Sequence, residues 1–252
     1  MLGIGDYSSG ALLFLAASAL TAGLARGFSG FGGALIFVPL ASAAVGPRAA
    51  APLLLIIDAV AAAGLIPNAW RHAGKREVAW MTAGALFGVP LGAWLLTKAD
   101  PLALRWGLAA AVVVLLLMLI SGWRYHGRRT PPVTAGVGLL AGLLSGAAQI
   151  GGPPIVAYWL SSALRADVVR ANIVLYFAVS TVFSGVAYVA GGLITETVLV
   201  LALLVGPVYG LGIYLGSRLF GLASETMFRQ ICYALIGIAA ALSLPVLDNL
   251  LR

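Results

Sequence analysis

Charge is scarce in this sequence: Asp, Glu, Lys and Arg make up 9% of its 252 residues, against about 25% in soluble globular domains. With 62% hydrophobic residues, that excludes an ordinary soluble globule and leaves an integral membrane protein. Cysteine occurs once, as Cys232 in an apolar segment, so no internal disulfide can form and an inert buried thiol is the expected role. Histidine occurs twice, as His72 and His126, both among loop arginines. That is too few and too scattered for a metal site, and no cofactor is implied. Acidic residues are outnumbered, 8 against 15 Lys and Arg. The excess lies mostly in short loops, where it sets orientation and meets anionic lipid, so the bilayer and not nucleic acid is the expected partner. Polar stretches long enough to fold separately are also lacking, and apolar stretches recur to the end, so the first is not read as a cleaved signal. The chain 1–252 reads as a single membrane domain, with homo-oligomerisation left open.

What is present is a double series of apolar segments, at about 10–29, 33–46, 50–68, 78–97 and 103–122, then at about 132–149, 152–163, 171–190, 197–217 and 228–247. Shifting the sequence by 119 aligns "AGLARGFSGFGG" (22–33) with "AGLLSGAAQIGG" (141–152), with six of twelve positions identical. Towards the end of each half the shift becomes 124, bringing Gly88, Leu91, Gly92, Leu95 and Arg105 onto Gly212, Leu215, Gly216, Leu219 and Arg229. Two ordered blocks with glycines in register predict a duplication, with repeats at 10–122 and 131–248. Charge sets their relative orientation. "WRHAGKRE" (70–77) and "WRYHGRR" (123–129) are basic and expected to be cytoplasmic, whereas "AGGLITET" (190–197), the equivalent of the first, has no Lys or Arg. Equivalent loops on opposite faces mean inverted repeats. The expected fold class is therefore an all-α integral membrane protein of two inverted repeats, each of about five hydrophobic segments and each opening with a Gly-rich broken helix or helical hairpin.

Residues 10–46 are too long for one crossing, which takes about 20 residues, and short for two full ones. The glycines sit mid-run, where the chain would turn, and lipid cannot satisfy backbone exposed by a break, so the break must be buried or line a polar cavity. "GFSGFGG" and "GAAQIGGPP" thus read as two bends, expected to face each other near the midplane and to bind an anion through free amides around Gly30, Gly32, Gly33, Gly151 and Gly152. Ser29 and Gln149 are the candidate side-chain donors. The competing reading is packing, since glycine lets transmembrane helices approach closely. Arg26 has three readings: snorkelling to an interface, an ion pair, or substrate contact. Asp58, in "LLLIIDAVAAAG", is either a partner for Arg26 or a proton carrier. Asn172, Ser180 and Ser184 are candidates to line a path, although Ser in such helices commonly bonds its own backbone.

At these residues the chain resembles the TauE/SafE sulfite exporter family, small bacterial inner-membrane proteins of two repeats that each open with a Gly-rich motif followed by proline. Here these are "GFSGFGGALIFVPL", ending in Pro39, and "GLLSGAAQIGGPPIV". The resemblance implies export of small sulfur-containing anions such as sulfite, sulfoacetate or related sulfonates. The halves depart from symmetry where Gly30 meets Gln149 and Pro39 meets Tyr158. Other classes fit less well. "GFSG" (27–30) matches the Gly-x-Ser-Gly of rhomboid intramembrane proteases, but both histidines lie in basic loops away from any such serine. "GKR" (74–76) lacks the glycines and Ser/Thr of a P-loop. A passive anion channel shares every feature except coupling.

Overall fold

The computed structural model describes residues 7–29, 32–160, 162, 164–219 and 225–244. Among these the chain is all α-helical, with no strand. The helices are α1 (Ser9–Ser29), α2 (Gly33–Val45), α3 (Pro47–Ala62), α4 (Ile66–His72), α5 (Lys75–Lys98), α6 (Pro101–Ile120), α7 (Pro131–Ala148), α8 (Gly152–Leu160), α9 (Ala166–Ala190), α10 (Glu196–Leu219) and α11 (Glu225–Leu242). A 3-10 turn over Ala63–Leu65 joins α3 to α4, so Pro47–His72 forms one apolar run of 26 residues. That run and α1, α5, α6, α7, α9 and α10 give seven stretches long and apolar enough to cross a membrane. At nine residues α8 rises only about 14 Å, half a hydrocarbon core.

Helix boundaries follow local chemistry. Asp100 Oδ1 accepts the amides of Leu102 at 2.9 Å and Ala103 at 3.0 Å, capping α6, whose first residue is Pro101. Pro131 likewise opens α7. The outward face is apolar: five of the six tryptophans (Trp70, Trp80, Trp94, Trp106 and Trp123) are exposed. On α5, Trp80 and Trp94 stand 14 residues apart, about 21 Å of helix, as anchors at two interfaces would.

The chain divides into two compact units. The first comprises Met1–Ile57, Ala99–Leu117 and Gly192–Arg252; the second comprises Asp58–Lys98 and Met118–Gly191. In the first, α1 packs along α10; in the second, α5 packs along α7, and α9 lies against α4 and α5. Both close pairs run parallel, because their contacts advance in step: Gly84, Gly88 and Gly92 meet backbone at Ala135, Leu139 and Leu143, while Gly212 and Gly216 meet Leu20 and Leu24. A side chain at any of these glycines would collide with the partner's carbonyls, so small residues here let the backbones touch.

The two pairs also match residue by residue. Gly212 abuts the carbonyl of Leu20 and the amide of Leu24, and Gly88 abuts the same groups of Leu139 and Leu143. Gly27 abuts the carbonyl of Ile213, and Gly146 that of Val89. Each correspondence is the shift of 119 on one helix and 124 on the other, the two registers found in the sequence.

Candidate functional site

In the second unit, α7 ends in a bend whose geometry is fixed by Gln149. Gln149 has φ 59°, the one left-handed residue other than glycine among the described residues. Such a conformation is costly for a residue with a Cβ and persists only when its surroundings hold it. Here the Gln149 amide donates to Ser145 O at 2.8 Å and that of Ile150 to Leu144 O at 3.3 Å, closing the helix end. The side chain folds back as well: Nε2 donates to Ser145 O at 2.9 Å and to the Tyr188 hydroxyl at 3.2 Å. Tyr188, fully buried on α9, donates in turn to Gly146 O at 2.8 Å. With both Nε2 hydrogens engaged, Gln149 holds the bend rather than reaching outward.

The glycines of this bend have different jobs. A Cβ on Gly151 would collide with Ala141 O and the Ser145 hydroxyl, so Gly151 is required by packing. Gly152 is open, its nearest neighbour being Phe177 at 3.9 Å. It starts α8 and is followed by Pro153 and Pro154, which have no amide hydrogen. The first turn of α8 therefore presents fewer amides than an ordinary helix start, with Gly152 the chief one. The bend is level with Tyr188, two residues from the end of α9, and so lies towards that helix's C-terminal end.

In the first unit, Gly32 has φ 93° and forms the N-cap of α2, a conformation natural to glycine. Gly33 begins α2 in a tight corner, where an added Cβ would lie 2.9 Å from Ala22 O, 3.0 Å from Arg26 Cβ and 3.3 Å from the Tyr209 hydroxyl. Arg26, in the last turn of α1 and partly buried, thus has its stem against the start of α2. The negative end of α1 favours its charge, and the positive end of α2 disfavours it. Gly30 and the side chain of Ser29 lie outside the described residues. Asp58 sits within α3, partly buried, as the first residue of the second unit.

At the opposite end of α9 from Tyr188, Asn172 Oδ1 accepts the Gly74 amide at 2.7 Å, fixing the 70–77 loop at the start of α5. The base of α8 is pinned at that end too: Trp159 Nε1 donates to Glu77 Oε2 at 3.1 Å, Tyr158 shares a hydrogen bond with Thr134 at 2.6 Å, and the Arg129 guanidinium lies 5.5 Å from the Tyr158 ring. Tyr188, bonded to Gln149, and Tyr209, beside Gly33, are the residues next to the bends that sequence reasoning missed. A signal for Tyr188 existed, since it continues the four-residue spacing of Asn172, Ser180 and Ser184.

Comparison with known proteins gives one consistent result. Residues 15–243 match the family described as "Sulfite exporter TauE/SafE". The chain is 26% identical over 236 residues to the "Probable sulfite/organosulfonate exporter TauE" of Cupriavidus necator, covering 87% of this chain and 89% of the relative. No solved structure matches.

Proposed function

Because the chain belongs to the TauE/SafE sulfite exporter family, we propose that it is a secondary transporter exporting small sulfur-containing anions (sulfite, sulfoacetate or related sulfonates) across a bacterial inner membrane by alternating access. The observation that carries this reading is the family match over nearly the whole chain, joined to a relative of similar length named for that cargo. The two Gly-rich bends support it chemically. Each starts a short helix whose leading amides, at Gly33 and Gly152, point away from their own helix's carbonyls and suit an anionic oxygen. Arg26, its stem against the first turn of α2, adds a permanent positive charge to one of them. We assign anion contact to Arg26, Gly32, Gly33 and Gly152, with Ser29 and Gly30 as further candidates beside them. Gln149 and Gly151 serve by shaping the second bend, and Asp58 is the candidate proton carrier.

The test is flux in proteoliposomes holding the purified chain, with sulfite, sulfoacetate, taurine, sulfate and acetate offered in turn. Saturable flux of sulfite or sulfoacetate that responds to a pH gradient is expected. Flux linear in concentration and indifferent to pH would instead make the protein a passive anion channel, and flux of none of the five would refute the reading.

A further inference from the structure

Polar residues recur at every fourth position of α9: Asn172, Tyr176, Ser180, Ser184 and Tyr188, each no more than 3% exposed. The helix meanwhile turns Val182, Val186 and Val189 outwards, each at least 61% exposed. Packed helices in a membrane do favour small residues, serine among them, but a hydroxyl buried there is expected to find a partner on its own backbone or on the neighbouring helix.

The ridge is only partly satisfied. Its two ends are bonded, Asn172 to Gly74 and Tyr188 to Gly146 and Gln149. Between them Tyr176 reaches Gly138 O only at 3.5 Å. Asn172 Nδ2 and the Ser180 and Ser184 hydroxyls are buried with no hydrogen-bond partner. The neighbouring helix α5 repeats the feature: Thr82, eight residues beyond Gly74 as Ser180 is eight beyond Asn172, also buries a hydroxyl with no partner. Serine or threonine in a helix can satisfy itself on the carbonyl four residues back. Elsewhere in this chain Ser18, Thr21 and Thr134 do so, at 2.7, 2.8 and 3.1 Å. Ser180 and Ser184 do not.

Spacing identifies what would satisfy them. The Ser180 and Ser184 hydroxyls, on like side chains four residues apart, are separated by about 6 Å of helix rise, and one water accepting from one hydroxyl and donating to the other spans about 5.6 Å. We propose that this ridge is a hydrated track through the second unit, in which the hydroxyls of Tyr176, Ser180, Ser184 and Tyr188, with water bridging Ser180 to Ser184, conduct protons between the Gly74 end and the Gln149 bend. In each hop an oxygen receives one proton and passes on another, so no group on the track changes charge. Every member is neutral, which suits water and gives a sulfonate nothing to pair with. The proton-conducting role rests on the export reading; the hydration does not.

Two measurements test it. In proteoliposomes loaded with a pH-sensitive dye, proton flux accompanying sulfoacetate movement is compared for the wild type, Ser184→Val and Ser184→Thr. The two side chains have the same shape, and only threonine keeps the hydroxyl. The expected result is loss of proton flux in Ser184→Val to the level of empty vesicles, with flux retained in Ser184→Thr. Retention in both, or loss in both, would overturn the proposal, as would sulfoacetate flux in the wild type with no proton flux. Should Ser184→Val fail to fold, hydroxyl-radical footprinting by X-ray radiolysis of the wild type decides hydration directly. Tyr176 and Tyr188 are expected to be labelled rapidly through adjacent bound water, and the equally buried Phe37 to remain unlabelled. Labelling of both tyrosines no faster than Phe37 refutes the track. Failure of the export reading looks different, with rapid labelling but no sulfoacetate flux.

Discussion

Gly88 and Gly136 lie 48 positions apart in sequence and on the two helices of one packed pair, yet a methyl group added at each meets opposite circumstances. At Gly88 it strikes the carbonyl of Leu139; at Gly136 it meets nothing within 4 Å. Gly88→Ala should therefore force α5 and α7 apart and cost about 1–3 kcal/mol, read as a lowered melting temperature in detergent, while Gly136→Ala leaves melting unchanged or slightly raised. Equal melting of the two would mean that the backbones do not touch as described. Arg26 and Asp58 call for a functional readout instead. Arginine stays charged, whereas a carboxyl can take up and release a proton. Arg26→Gln should weaken sulfoacetate binding, and Asp58→Asn should keep binding while losing the response to a pH gradient. A purely structural role predicts the reverse pattern, with both variants melting earlier because each leaves a charge uncompensated. Unchanged coupling in a well-folded Asp58→Asn would remove Asp58 from the mechanism.

At the scale of the element, the bends separate what glycine does for the fold from what it does for the ligand. Gly151 is enclosed by Ala141 and Ser145, whereas Gly152 is open. Gly151→Ala should lower the yield of folded protein or its melting temperature, and Gly152→Ala should leave melting intact and weaken anion binding severalfold by crowding the approach to the amides. If Gly152→Ala binds as the wild type does, the second bend is not a ligand site. The existence of these bends was legible in the sequence, because glycines in the middle of a run too long for one crossing have few other uses. Their internal workings were not. The left-handed Gln149 is held by Tyr188, 39 residues later, and no local pattern encodes a partner so remote. An amide in a glycine-rich bend advertises hydrogen bonding without saying to what, and here Gln149 Nε2 bonds Ser145 and Tyr188. The polar residues of α9 were visible one by one. Their meaning depended on knowing that Ser180 and Ser184, unlike Ser18, leave their own backbone alone.

At the scale of the whole molecule, the correspondence between helix pairs bears on how the fold arose. In each unit the first helix of one half packs on the next-to-last helix of the other, α1 with α10 and α7 with α5, through glycines at matching positions. Two unrelated segments would have no reason to share that register, and we propose that the two halves arose by duplication. Orientation follows from charge. Within the second unit, α5 and α7 run parallel, which puts the basic 70–77 and 123–129 loops at one end. Asn172 joins the start of α9 to that same end through Gly74, adding Arg165 and Arg170 to it. The 191–195 loop, without Lys or Arg, follows the other end of α9. By the positive-inside rule we propose that the Gly74 end is cytoplasmic and the 191–195 end outside. On a Cys232→Ala background, a single cysteine at position 74 should react with a membrane-impermeant maleimide only after the cells are opened, and one at position 192 should react in intact cells. Labelling of position 74 from outside would reverse the assignment, and labelling of both positions from the same side would rule out the inversion itself.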